Sequence, residues 1–230
     1  TPVETPDFLA VIDTALPETI RAQLSQQLPQ FMHLFAERIG DLPARPMLFA
    51  SYDLSHANGF ARQGGTLPGQ VFVHFYGSAW PERMAAPGFT DELAWHFAHE
   101  AAHLYQRQLF TDTGQGAWIH EGGAEAMAAI ALSLNGRGEA VQCHATALAE
   151  KCRKTLGARS IHSALAESDF DIAYACGLQV NLALDAALRT SAPGTDGLFT
   201  VWQRYIAIAG NRTPTEADYN VADGLFKDGK

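Results

Sequence analysis

From residue 89 to residue 208, apolar side chains recur at steps of three and four, the period of a helix with one buried face. The pattern predicts helices over roughly 89–109, 116–133, 139–155, 170–190 and 196–208, separated by joints that contain glycine or proline. The first third reads differently. Ile20, Leu24, Leu28, Met32 and Phe35 place a helix over 17–39, which Pro29 is expected to kink or divide. Two short apolar runs follow, Pro46 to Tyr52 and Gln70 to Tyr76. The second run, Val71-Phe72-Val73-His74-Phe75-Tyr76, is rich in β-branched and aromatic residues and bounded by glycines, the strongest strand signal in the chain. A mixed front third and a helical back half predict an α+β fold in a single domain. An N-terminal lobe (1–110) would hold a small sheet and a helical lobe (111–230) would face it across a cleft.

The composition narrows the setting. With 47% hydrophobic residues in 230, the chain can bury a sizeable core and is not a disordered segment. Sixteen Lys and Arg against 25 Asp and Glu leave a net charge of -9, which argues against nucleic acid or an anionic membrane surface as partner. Apolar stretches such as Ala126 to Leu132 fall far short of the roughly 20 residues a membrane span needs. The first residue is Thr1 rather than Met, which predicts that an upstream segment has been cut away, and a periplasmic or secreted location is favoured over the cytoplasm. The sequence does not specify an oligomeric state. Cys143, Cys152 and Cys176 show no C-x-x-C spacing and read as three buried thiols acting as small hydrophobes. A bridge between Cys143 and Cys152, nine positions apart, is the alternative.

One stretch carries chemistry. His99-Glu100-Ala101-Ala102-His103 lies inside a good helical pattern. Four residues advance a helix by about 6 Å and rotate it about 40° beyond one turn, so both imidazoles point to the same side and can hold one metal. Glu100 shares that side without being a ligand. His96, His99, Glu100 and His103 form one stripe of the helix, and Leu93, Phe97, Ala101 and Leu104 form an apolar stripe beside it. A pair of solvated histidines and a purely structural metal are the competing readings.

Beyond His103 comes Trp118-Ile119-His120-Glu121-Gly122-Gly123-Ala124-Glu125, again entering a helix. H-E-x-x-H followed by W-I-x-E-G-x-A-E resembles the gluzincin metallopeptidases, the thermolysin-like and aminopeptidase-like group of clan MA. The resemblance implies a zincin-like fold, a Zn2+ cofactor and Glu121 as third ligand beside His99 and His103. It also implies that Glu125 holds a ligand histidine by its free ring nitrogen, fixing the tautomer. A third block, Tyr174-Ala175-Cys176-Gly177, is similar to the Y-x-x-G element whose tyrosine stabilises the oxyanion in the aminopeptidase-like members. Ser168 and Asp171 are expected to cap the helix that carries it.

Two departures limit the resemblance, which covers roughly residues 45 to 190. The gap from His103 to Glu121 is one residue shorter than the family's, a difference a loop can absorb. The G-x-M-E-N element that grips a substrate's amino group is absent. Its place is taken by Gly64-Gly65-Thr66-Leu67-Pro68, and no carboxylate lies between Asp53 and Glu82. Exopeptidase specificity is therefore not carried over.

The expectation is a zinc metallopeptidase acting on a peptide or protein substrate. Zinc-activated water would be the attacking group, Glu100 the general base and Tyr174 the oxyanion donor. The alternatives are an inactive gluzincin-like binding or scaffold module, against which the intact Glu100 counts, and a metal-dependent hydrolase of a non-peptide amide. The strand Val71 to Tyr76 would either pair with an extended peptide along its edge or lie inside the sheet. His120 and His74 stand next in line as oxyanion donors. Trp80, Trp95, Trp118 and Trp202 are expected to serve packing, and His33, His56, His144 and His162 to be surface or core residues.

Overall fold

In the computed structural model, which describes residues 3–54, 59–107 and 114–223, the front third builds a sheet on one long helix. Strands β1 (Val3–Glu4) and β2 (Leu9–Ile12) precede helix α1 (Glu18–Ile39); strands β3 (Met47–Asp53), β4 (Ala61–Leu67) and β5 (Gln70–Tyr76) follow. The order across the sheet is β1-β2-β3-β5-β4. The inner strands β2, β3 and β5 run parallel, while β1 and β4 are antiparallel to their neighbours. Along β5 the period of two is plain: Val71, Val73 and Phe75 are buried, and Phe72, His74 and Tyr76 stand on the other face. This strand is flanked on both edges, so the pairing surface expected of it belongs to β4 instead.

The rest is helical: α2 (Trp80–Ala85), α3 (Phe89–Tyr105), a 3-10 turn at Gly114–Gly116, α4 (Ala117–Leu134), α5 (Gly138–Leu156), α6 (Ile161–Ala166), α7 (Asp171–Ser191), α8 (Leu198–Ala209) and α9 (Glu216–Asp223). The chain is thus α+β with a small mixed sheet. Helix α4 is the central rod, with nearly every residue from Trp118 to Leu132 buried. Helix α5 has no buried residue and forms an outer layer. One hydrophobic cluster runs from Phe8 to Ala222, so the sheet and the helices share a core. No helix among the described residues is long and apolar enough to cross a membrane. The junction expected near residue 110 and His56 lie outside the described residues.

Several expectations need correction. Helix α1 continues through Pro29, because burial of Leu28, Phe31 and Met32 on either side offsets the hydrogen bond that proline lacks. The cap expected from Ser168 and Asp171 is not formed: α7 starts after Phe170 without a side-chain cap, and Ser168 has φ 67°. Asp171 pairs with Lys151 of α5. The cysteines also differ. Cys152 is bonded to Cys176, tying α5 to α7, while Cys143 is exposed and free. Nine residues along one helix separate Cys143 from Cys152 by about 13.5 Å, too far for a disulfide.

Candidate metal centre

Helix α3 packs Leu93, Phe97 and Ala101 into the core and turns His99, Glu100 and His103 toward α4 and β4. Helix α4 supplies His120, Glu121 and Glu125. The first turn of α7 supplies Tyr174, and Gly64, Gly65 and Thr66 of β4 complete the cleft. Its geometry is that of a ligand set. His99 Nε2 and His103 Nε2 are 3.0 Å apart, and Glu121 Oε2 stands 3.4 Å from the first and 3.3 Å from the second. Donors about 2.05 Å from a tetrahedral zinc are about 3.3 Å from one another. These three residues could therefore hold one metal ion.

Both histidines are held from behind. His99 Nδ1 lies 3.2 Å from Glu125 Oε1, and Trp95 Nε1 donates to Glu125 Oε2 at 2.5 Å. Trp95 also packs on the ring of His144, with centroids 4.1 Å apart. His103 Nδ1 is 2.7 Å from Gln106 Oε1. Burial opposes a charge on His99, but hydrogen bonds to Glu121 and Glu125 outweigh it and raise its pKa well above the imidazole value. Burial likewise opposes ionisation of Glu121, yet His103 and His99 hold it far below the ordinary carboxylate range.

Glu100 sits differently. Burial raises its pKa, and its buried Oε2 accepts no hydrogen bond from the described residues. The backbone of β4 passes directly over it. A Cβ at Gly64 would stand 2.1 Å from Glu100 Oε1 and 2.6 Å from His96 Cε1, so any larger residue there would force the Glu100 carboxylate or the His96 ring to move. Thr66 Oγ1 donates to the Glu100 carbonyl at 3.2 Å, fastening the strand to the helix. The Tyr174 ring stacks on His99 with centroids 5.9 Å apart. Burial, followed by the charge of Glu121, pushes its hydroxyl pKa up, so it stays a proton donor.

Five of the six expected site residues, His99, Glu100, His103, Glu121 and Tyr174, thus line one cleft, and the sixth, Glu125, stands behind His99. His120 lines it too, its pKa pushed down to about 3 chiefly by burial, so its ring is neutral. His74 does not: it lies on the outer face of the sheet, bonded to Ser51 Oγ at 2.7 Å and stacked on Tyr76. His96 lies under Gly64 and outside the ligand group. The sequence pattern assigned Trp95 to packing alone, marked Gly64 and Thr66 only as standing where an amino-group clamp is missing, and did not single out Gln106. The i to i+3 spacing of His103 and Gln106 was the available signal. No protein-family model matches this chain and no curated protein matches it, so its functional reading rests on this geometry.

Proposed function

We propose that this chain is a zinc-dependent metallopeptidase of gluzincin type with a zincin-like arrangement, hydrolysing peptide bonds in the cleft between β4 and α4. The observation that carries the reading is the placement of Glu100. Its unpartnered buried oxygen lies beside a two-histidine, one-carboxylate set spaced for one tetrahedral ion. When bound there, zinc would supply Lewis-acid chemistry, polarising a carbonyl and lowering the pKa of a water toward about 7.

The protein's own groups account for the remainder. His99, His103 and Glu121 hold the ion, and Glu125 and Trp95 orient His99. Glu100, its pKa raised by burial, accepts a proton from the attacking water and passes it to the leaving nitrogen. Tyr174 keeps its proton and donates it as a hydrogen bond to the carbonyl oxygen while charge builds there. Among the described residues the outer edge of β4 has no partner strand, and its backbone N–H and C=O groups suit an extended peptide laid alongside. A disulfide between Cys152 and Cys176 supports a periplasmic or secreted setting.

Zinc uptake and cleavage of a mixed peptide pool, compared across wild type, Glu100→Gln and His103→Ala, test the reading. Wild type should take up one zinc and cleave, Glu100→Gln should keep the zinc and lose turnover, and His103→Ala should lose the zinc. Wild-type protein without zinc above background, or turnover surviving in Glu100→Gln, overturns it.

A further inference from the structure

We infer that Gln106 is a positioning residue for the metal centre: its amide holds His103 as the Nδ1–H tautomer and ties that ring to the residue preceding Glu121. The inference rests on the metal reading of the site, not on a peptide as substrate.

Gln106 follows the last residue of α3 and is almost wholly buried, at 1% exposure. Its backbone N–H bonds to the Ala102 carbonyl, and the chain then turns away at Arg107, with φ 53°. The side chain is therefore anchored where the helix ends. Its Nε2 donates to the backbone carbonyl of His120 at 2.9 Å. A carbonyl oxygen can only accept, so this bond settles which end of the amide is NH2 and turns Oε1 toward His103.

An oxygen 2.7 Å from His103 Nδ1 is satisfied only by a proton on that nitrogen. In a neutral ring the lone pair then sits on Nε2, which faces His99 Nε2 and Glu121 Oε2. Burial leaves the amide no water to exchange for these partners, so the orientation is strongly preferred. The same amide spans two helices, touching a ligand ring on α3 and the carbonyl beside the ligand Glu121 on α4. It thereby fixes the separation of two ligands that come from different segments. Gly123 makes room for it: a Cβ there would stand 3.2 Å from Gln106 Nε2 and 2.8 Å from the Trp202 ring.

Two substitutions separate positioning from packing. Gln106→Met keeps the length of the side chain and removes both hydrogen bonds. Gln106→Glu keeps an oxygen acceptor for His103, whether or not its carboxyl group carries a proton. Zinc affinity is measured by chelator competition, and stability by urea unfolding of the metal-free proteins. Gln106→Met should weaken zinc binding 10- to 100-fold, the usual effect of losing a ligand's hydrogen-bonded support, while Gln106→Glu, which keeps the acceptor for His103 and when ionised loses the bond to the His120 carbonyl, should lose distinctly less. In the zinc-loaded wild type, the Nδ1 proton of His103 should appear in the NMR spectrum as a slowly exchanging, nitrogen-coupled resonance, a readout that needs no variant to fold. Equal affinity in all three proteins, equal losses in the two variants, or a fast-exchanging Nδ1 proton overturns the inference while leaving the zinc site standing. Wild type that takes up no zinc overturns both.

Discussion

Gly122 of α4 and Gly177 of α7 meet backbone to backbone: a Cβ added at Gly122 would stand 2.4 Å from Gly177 Cα, and one at Gly177 would stand 2.8 Å from Gly122 Cα. Each glycine belongs to a block that also carries a site residue. Gly122 follows Glu121 directly, and Gly177 lies three positions after Tyr174. The contact lets two helices approach closely enough for the Tyr174 ring to reach His99. Asn181 Nδ2, one turn on, donates to the Gly177 carbonyl at 2.9 Å and lies 3.4 Å from the Trp118 carbonyl.

Gly122→Ala should therefore be destabilising despite alanine's better helix propensity of about 1 kcal/mol. The clash is with backbone, which cannot rotate aside, and overpacking of this kind costs roughly 1–3 kcal/mol. A loss of about 1–2 kcal/mol in urea unfolding is expected, with turnover falling as Tyr174 is displaced. Gly138→Ala, whose added Cβ meets nothing within 4 Å, should be neutral or stabilising in the same assay.

Tyr174→Phe removes the hydroxyl and leaves the ring stacked on His99. An oxyanion donor acts in the transition state more than in substrate binding. In steady-state kinetics, kcat should fall on the order of a hundredfold, with KM and zinc content nearly unchanged. Normal turnover with lowered thermal stability would leave Tyr174 as a packing residue and make His120, which lines the same cleft, the next donor to substitute.

Acid should weaken the metal-free protein in a way that depends on His120. Burial holds its folded-state pKa at about 3, against about 6.5 in the unfolded chain. Between those values the unfolded state binds the extra proton, so stability is fully present above about 6.5 and is lost as pH falls toward 3. Urea unfolding of His120→Asn at pH 7, 5.5 and 4 should show a shallower loss than wild type. Parallel curves would contradict a neutral buried imidazole.

Reducing the disulfide should loosen the helix that carries Tyr174. Cys152 and Cys176 are 24 residues apart, and cross-linking a loop of that size stabilises by roughly 3 kcal/mol. Treatment with a thiol reductant should lower the unfolding midpoint and lower kcat more than zinc affinity, since the bond holds α7 rather than α3 and α4, which carry His99, His103 and Glu121. An unchanged midpoint after complete reduction would contradict this.

What the sequence by itself determined is the local part of this design. Helical period marked α1, α4, α5, α7 and α8 nearly to their ends and α3 at its start, although α3 stops at Tyr105 rather than near 109, and the alternation in Val71 to Tyr76 marked β5. The four-residue step from His99 to His103 already placed two imidazoles on one side of a helix. Such features depend on neighbours three or four positions away, which the chain displays in order. Other features were decided by tertiary structure. Strand β4, Ala61–Leu67, has no apolar alternation; it is a strand because it pairs with β5, and its glycine at 64 reflects the Glu100 side chain beneath it. The choice of Cys176 over Cys143 as partner of Cys152 depends on α7 lying against α5. Gln106 becomes a support for His103 only where the ends of α3 and α4 come together. In each case the decisive neighbour is distant in the chain, and only packing around the shared core brings it within hydrogen-bonding or van der Waals reach.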